Sequence, residues 1–132
     1  MNTIQYYATP AGSLELTIQN NRLIKAIFVD EPINAEFITT PPPLLLDGTP
    51  FQLKVWQEAQ NIPSGIAITY KDLARKIGHP ASWRAVANAL ANNKISYFIP
   101  CHRIINSAGK LAGYRWGIHR KKILLEAERL EE

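Results

Sequence analysis

The chain has one cysteine, Cys101, in 132 residues. An intramolecular disulfide is therefore excluded, and so is thiol redox chemistry that needs a resolving partner. Metal ligands are equally scarce. Beyond Cys101 they are His79, His102, His119 and carboxylates, at spacings that match no structural zinc pattern, so no metal and no cofactor is expected. No run of about 18 apolar residues exists, so no membrane-spanning helix and no membrane partner are expected. The opening residues, "MNTIQYYATPAG", have neither a basic start nor an apolar stretch of signal-peptide length, which predicts a protein that stays in a reducing cytoplasm. Internal repeats are absent, and the only low-complexity tract is the triple proline Pro41, Pro42 and Pro43.

What is present suits a globular chain: 46% hydrophobic and 20% charged residues, enough to build a core. The formal charge of +4 is unevenly placed. Residues 1–66 hold three basic and six acidic side chains, whereas residues 67–132 hold twelve basic and five acidic. The second half is either a polyanion-binding surface or a well-solvated one.

In "TIQYYATPAGSLELTIQNNRLIKAIFVDEP", apolar residues alternate through Leu14, Leu16 and Ile18, "QNN" signals a turn, and a second run extends from Leu23 to Val29. A small antiparallel sheet is predicted. From Pro32 to Asp47 periodicity disappears, and the triple proline, which fixes φ and lacks N–H groups, marks a linker. A helix then starts with Thr49 as N-cap and Pro50 at its first position, and places Phe51, Val55, Trp56 and Ala59 on one face. A second helix begins with the capping pair Thr69 and Asp72, buries Leu73 and Ile77, and stops at Gly78. The alanine-rich segment "ASWRAVANALANN" follows, with Val86 and Leu90 inward. Two short helices around a glycine turn form a helix-turn-helix shape, which either serves a nucleic-acid groove or packs as plain core. The small residues Ala81, Ser82, Ala85 and Ala89 would let a backbone approach DNA, or another helix, closely. The last part is predicted as an extended run "ISYFIPCHRII", a turn at "NSAG", a Gly-rich segment "LAGYRWG" and a final helix. In that helix Ile118, Leu124, Leu125 and Leu130 are expected inward, and the basic cluster His119 to Lys122 outward.

A lone cysteine in an apolar run can be simply a small buried hydrophobe. Three features point instead to chemistry. Pro100 ends normal strand pairing and places Cys101 where the chain leaves a sheet. His102 and Arg103 follow immediately, and such groups are seldom buried without a partner. Positive charge nearby favours the thiolate, the reactive form. Neighbours in an extended segment point to opposite sides, so His102 would act on Cys101 through a water. Its other nitrogen needs an acceptor, and by spacing either Glu126 or Glu128 can supply it.

Taken together, "IPCHRII", "SAGKLAGYRWG" and "RKKILLEAE" resemble the active-site region of the O6-alkylguanine-DNA alkyltransferases, the methylated-DNA–protein-cysteine methyltransferases. "GYRWG" is especially similar to the C-terminal domain of the bacterial adaptive-response methyltransferase. The resemblance continues upstream through "GTPFQLKVWQ", "IPSGIAITYKDLA" and "WRAVANALANN", covering residues 48–128. It implies an α+β fold: a short N-terminal antiparallel β lobe, then a helical C-terminal domain with a winged-helix-like helix-turn-helix. The implied division is residues 1–46, a small β lobe and Pro-rich linker (an abbreviated RNase H-like domain), and residues 47–132, a DNA-binding alkyltransferase domain with the active-site cysteine. The lobe is shorter than the family's usual one, and it lacks the cysteines with which some members bind zinc.

The resemblance also implies roles. Cys101 falls on the alkyl acceptor, His102 on the water-mediated base, and Glu128, rather than Glu126, on the carboxylate that orients the histidine. Asn93 falls on the hinge asparagine, and Tyr70 on the tyrosine that bonds the guanine and displaces the flipped nucleotide's 3′ phosphate. Arg84 falls on the arginine that enters the base stack, and Tyr114 on the wall of the base pocket. Trp83, Ala85, Ala89, Arg103 and Arg115 complete the residues expected at DNA or base, Arg115 standing where some members have a small hydroxyl residue. The implied activity is direct-reversal DNA repair: stoichiometric, irreversible alkyl transfer from O6-alkylguanine, or O4-alkylthymine, in double-stranded DNA to Cys101, with base flipping. The implied state is a cytoplasmic monomer, nucleoid-associated in a prokaryote. The alternatives are a non-catalytic alkyltransferase-like lesion binder, in which the cysteine is replaced, and a sequence-specific helix-turn-helix regulator. A cysteine hydrolase is a weaker third.

Overall fold

A computed structural model of the chain describes residues 2–30, 35–108 and 113–130, with only the backbone of Leu130. The expectation for the Leu130 side chain, and residues 109–112 of the expected turn and Gly-rich segment, lie outside what is described. Three antiparallel strands come first: β1 (Asn2–Thr9), β2 (Gly12–Gln19) and β3 (Arg22–Val29), in spatial order β1-β2-β3. Asn20 and Asn21 both take positive φ, 51° and 61°, which gives the β2–β3 hairpin the twist of a tight two-residue turn. A bulge at Thr17/Ile18 resets the phase of β3, so that Leu23, Ala26 and Phe28 all face the core beside Leu14 and Leu16 of β2.

Residues 35–49 form no helix, as their prolines require, yet they strap both sides of the sheet. Ile38 donates its N–H to Tyr6 O at 2.9 Å, Leu23 donates to Pro43 O at 2.8 Å, and Leu45 donates to Leu23 O at 2.9 Å. These bonds partly cover edges that would otherwise invite intermolecular pairing.

Helix α1 (Pro50–Ala59) starts with a reciprocal capping box between Thr49 and Gln52 and buries Val55, Trp56 and Ala59. Gly48 sits just before it because a Cβ there would lie 2.6 Å from the Trp56 ring. A two-residue strand β4 (Ile68–Thr69) leads into α2 (Tyr70–Lys76), capped reciprocally by Thr69 and Asp72. Gly78, at φ 81°, lets the helix close with a paired set of terminal bonds, Gly78 N–H to Arg75 O and His79 N–H to Ala74 O. Helix α3 (Trp83–Ala91) then packs Val86, Ala89 and Leu90 inward.

Two expectations fail after α3. Residues 95–105 are not one extended run: Ser96 bridges Ile99 across a tight loop in which Tyr97 has φ 74°, and Cys101–Arg103 form a 3-10 turn. Only Ile104–Ile105 (β5) is strand, paired in parallel with β4, so Cys101 precedes a strand instead of leaving one. The final helix α4 (Ile118–Leu130) also has a different phase. Its inward stripe is Lys121, Leu124 and Glu128, whereas Ile118, in the first turn beyond the core, is 54% exposed and Leu125 is half-buried. Lys121 is fully buried because its ammonium donates to the Ile104 carbonyl.

The buried residues of sheet and helices form one continuous cluster. Full burial of each aliphatic side chain contributes about 1.5–3 kcal/mol. Shared core, far more than the short β4–β5 ladder, therefore fixes where the cysteine turn sits. Among the described residues no helix is long and apolar enough to cross a membrane.

Candidate active site

Cys101 opens into a cavity of about 390 Å³, a size suited to a small ring system. Tyr70 at the start of α2, Leu90 of α3, Asn93, Tyr97, and Tyr114 to Trp116 supply much of its wall. The sulfur is held from two sides. Asn93 Nδ2 donates to Sγ at 3.5 Å, and the thiol reaches Leu90 O at 3.7 Å. The same Asn93 side chain brackets Ile95, donating to its carbonyl at 3.1 Å and accepting its N–H at 2.9 Å. One side chain thus fixes both the chain leaving α3 and the position of the thiol.

Behind the cysteine turn, fully buried His102 meets Glu128 through Nε2 and Oε1 at 2.5 Å. Arg103 closes on that carboxylate with its Nε and an Nη, at 2.9–3.1 Å, and its other Nη donates to Ile62 O at 2.7 Å. Gly65 N–H adds a bond to Oε2 at 3.2 Å. Burial alone would raise the Glu128 carboxyl, but the hydrogen bonds from His102 and Arg103 outweigh it and hold the group down at about 2. For His102 burial dominates over the pull of Glu128, lowering its pKa and favouring the neutral ring. With Nε2–H committed to an ionised carboxylate, Nδ1 keeps its lone pair, and it is buried with no partner among the described residues. The Tyr97 ring stacks on the imidazole, 5.9 Å between centroids and 11° between planes.

Burial pushes the Cys101 thiol up to about 11, against the opposing effects of the Asn93 bond and the Lys121 charge. The resting sulfur is therefore a protonated thiol that needs a base. Lys121 is pushed down to about 8, by burial first, with the Cys101 charge acting against that shift. Tyr70 and Tyr114 are both raised, chiefly by burial and then by the neighbouring Cys101 charge, so their hydroxyls are proton donors. The Tyr114 hydroxyl is buried without a partner among the described residues.

The structure thus brings Cys101, Asn93, Tyr70, Tyr114 and Arg115 to one cavity and places the His102–Glu128 pair behind it. Glu126 is exposed and is not a ligand of the histidine. Arg84 and Ala85 are exposed at the start of α3, with the Arg84 guanidinium 5.2 Å from the centroid of half-buried Trp83. Two residues expected at DNA lie elsewhere. Ala89 is 3% exposed, and its carbonyl accepts Trp56 Nε1–H at 2.8 Å, so its small size serves helix packing. Arg103 is spent on Glu128 and Ile62 O and does not line the cavity. Sequence reasoning missed Tyr97 and Lys121. The first gave no signal, because its positive φ is imposed by the loop. The second was hidden in a run of charge. Among the described residues no three His, Cys, Asp or Glu side chains gather as a metal site requires.

Comparison with known proteins agrees with this geometry. Residues 50–130 match the family described as "6-O-methylguanine DNA methyltransferase, DNA binding domain". The chain is 50% identical over 86 residues to the bifunctional transcriptional activator/DNA repair enzyme Ada of Escherichia coli, covering 65% of this chain and 24% of that protein. It is 52% identical over 81 residues to the methylated-DNA–protein-cysteine methyltransferase of Kluyveromyces lactis, covering 61% of this chain and 43% of the relative. It thus spans less than half the length of either of these curated relatives. The crystal structure of the Mycobacterium tuberculosis O6-methylguanine methyltransferase superposes with a TM-score of 0.82 at 31% identity, covering 100% of this chain and 95% of that one. A cysteine cavity beside a helix-turn-helix, matched over most of its length in sequence and shape, places this chain in the 6-O-methylguanine DNA methyltransferase family.

Proposed function

We propose that the protein repairs alkylated DNA by moving the alkyl group of O6-alkylguanine onto Cys101 Sγ, once per molecule. The observation that carries this is a single half-buried thiol facing a base-sized cavity, with a histidine locked to a carboxylate behind it. The lesion lies inside the duplex and must be turned out, at a cost of a few kcal/mol. Arg84, exposed on α3, is suited to fill the gap it leaves.

In the cavity the thiol proton passes through an intervening water to His102 Nδ1, and Glu128 stabilises the imidazolium that results. The thiolate attacks the alkyl carbon, an S–C bond forms, and the C–O6 bond breaks with its electron pair moving onto guanine. A proton or hydrogen bond from Tyr70 relieves that developing charge. Tyr114 forms the wall against the base, and Asn93 keeps the sulfur in line. The product is a thioether, which is not a leaving group, so the chain is consumed. The domain division at residues 46 and 47 is retained as part of this proposal, with α2 and α3 as the DNA-binding element. A cytoplasmic location fits a lone thiol that must stay reduced and a chromosomal substrate.

Incubation with a duplex carrying O6-methylguanine, followed by peptide mass spectrometry, should show one added methyl on the Cys101 peptide and none in Cys101→Ala. Lesion-bearing duplex bound by a chain whose Cys101 peptide stays unmodified would instead identify a lesion binder and overturn the proposal.

A further inference from the structure

Beside the cysteine cavity lies a second, open groove of about 470 Å³, two of whose cations, Lys25 and Lys94, have no part in the chemistry above. Lys25, Lys94 and Arg115 line it with Ile27, Ala91 and Asn92, and no acidic residue contributes. Ala91 and Arg115 also line the cysteine cavity, so the two hollows share a wall at the C-terminal end of α3.

The backbone places the two lysines together. Ala26 of β3 bridges Ile95 in parallel: Ala26 N–H donates to Lys94 O at 2.9 Å, and Ser96 N–H donates to Ala26 O at 3.1 Å. Ala26 and Ile95 point into the core, 0% and 3% exposed. Side chains alternate along extended chain, so the residues just before them, Lys25 and Lys94, emerge side by side on the opposite face. Both are exposed, as is Arg115, and among the described residues none of the three is paired with a carboxylate. Lys25 is also one of only three basic residues in the acidic first half of the chain. Like charges gathered without a counter-charge repel one another, and a polyanion relieves that repulsion.

We propose that this groove carries the phosphodiester backbone of the DNA strand beside the flipped nucleotide, so that the N-terminal sheet, through Lys25, is part of the DNA-binding surface. The proposal rests on the reading of Cys101 as an alkyl acceptor for DNA. Each phosphate neutralised on duplex DNA steepens the fall of log K against log salt by about 0.9. Losing two such contacts therefore flattens the slope by about two, or roughly tenfold in affinity between 50 and 200 mM salt.

The test is fluorescence anisotropy of the full chain on a lesion-bearing duplex over a salt series. K25Q/K94Q should show the flatter slope and weaker binding at low salt. K25R/K94R should keep the wild-type slope, and so should K54Q/K122Q, which removes two exposed lysines elsewhere. Transfer from the free base O6-methylguanine, which has no phosphates, should proceed in K25Q/K94Q at the wild-type rate. An unchanged slope in K25Q/K94Q, or an equal flattening in K54Q/K122Q, overturns the groove assignment. If wild-type protein itself takes no methyl from duplex DNA, the proposed function fails instead.

Discussion

Replacing Glu128 by Gln tests the buried polar assembly most directly. The carboxylate accepts from His102, Arg103 and Gly65 and is held at about 2, against an ordinary value of 4.5. At about 1.4 kcal/mol per unit, that depression corresponds to roughly 3 kcal/mol of folding free energy, within the range for breaking a buried pair. A carboxylate whose folded pKa lies below its unfolded one stabilises the fold fully above the unfolded value, and that contribution is lost as pH falls through the folded value. Wild-type protein should therefore lose roughly 3 kcal/mol between about pH 5 and pH 2 through this group, and E128Q should lack that component. At neutral pH an unfolding entropy of about 2.1 cal/mol/K per residue converts roughly 3 kcal/mol into a Tm lower by about 11 °C. The assay is thermal unfolding by circular dichroism across pH 2–8 for both proteins, with single-turnover methyl transfer alongside. Transfer should slow by about 10²–10⁴-fold, the range for losing a positioned base. A variant that melts within about 2 °C of wild type and keeps the same acid limb would refute the assignment of this stability to Glu128.

Two further outcomes follow from buried groups elsewhere. Lys121 is buried and pushed down to about 8, so its charged form weighs against folding at neutral pH while it favours the Cys101 thiolate. Lys121→Met should thus raise stability by about 1 kcal/mol in urea unfolding, as apolar replacement of a buried charge often does. The same variant should react more slowly with iodoacetamide and shift the pH profile upward; unchanged thiol kinetics would sink this role. Gly48→Ala puts a Cβ 2.6 Å from Trp56 and 2.8 Å from Gln52 Oε1, and should cost about 1–3 kcal/mol in the same unfolding measurement. An alanine variant as stable as wild type would show that the Trp56 ring has room to move.

The parts legible in sequence were those settled by neighbours. Thr49 before Pro50, Thr69 with Asp72 and Gly78 are helix-end signals whose logic spans a few residues, and each is found as read. Val86 and Leu90 were equally plain, because apolar side chains four apart leave one way to pack α3. What stayed hidden depends on distant partners. The turn at Cys101 looks like strand in sequence, but the Asn93 clamp and the positive φ of Tyr97 bend it. Lys121 reads as solvated until the Ile104 carbonyl appears beside it, and Arg103 is expected at DNA or base until Glu128 claims it. Ala89 permits close approach on either reading, and the Trp56 indole, 33 positions earlier, decides for packing.

The two buried polar atoms left without partners among the described residues, His102 Nδ1 and Tyr114 Oη, both belong to the site. An unsatisfied buried polar group destabilises the native state by about 1–3 kcal/mol, and a whole domain has only about 5–15 kcal/mol in reserve. In the proposed reaction a water partners Nδ1 and the incoming base meets the tyrosine. Among the described residues neither atom is spent on holding the fold together: one is kept for the proton relay and the other for the substrate.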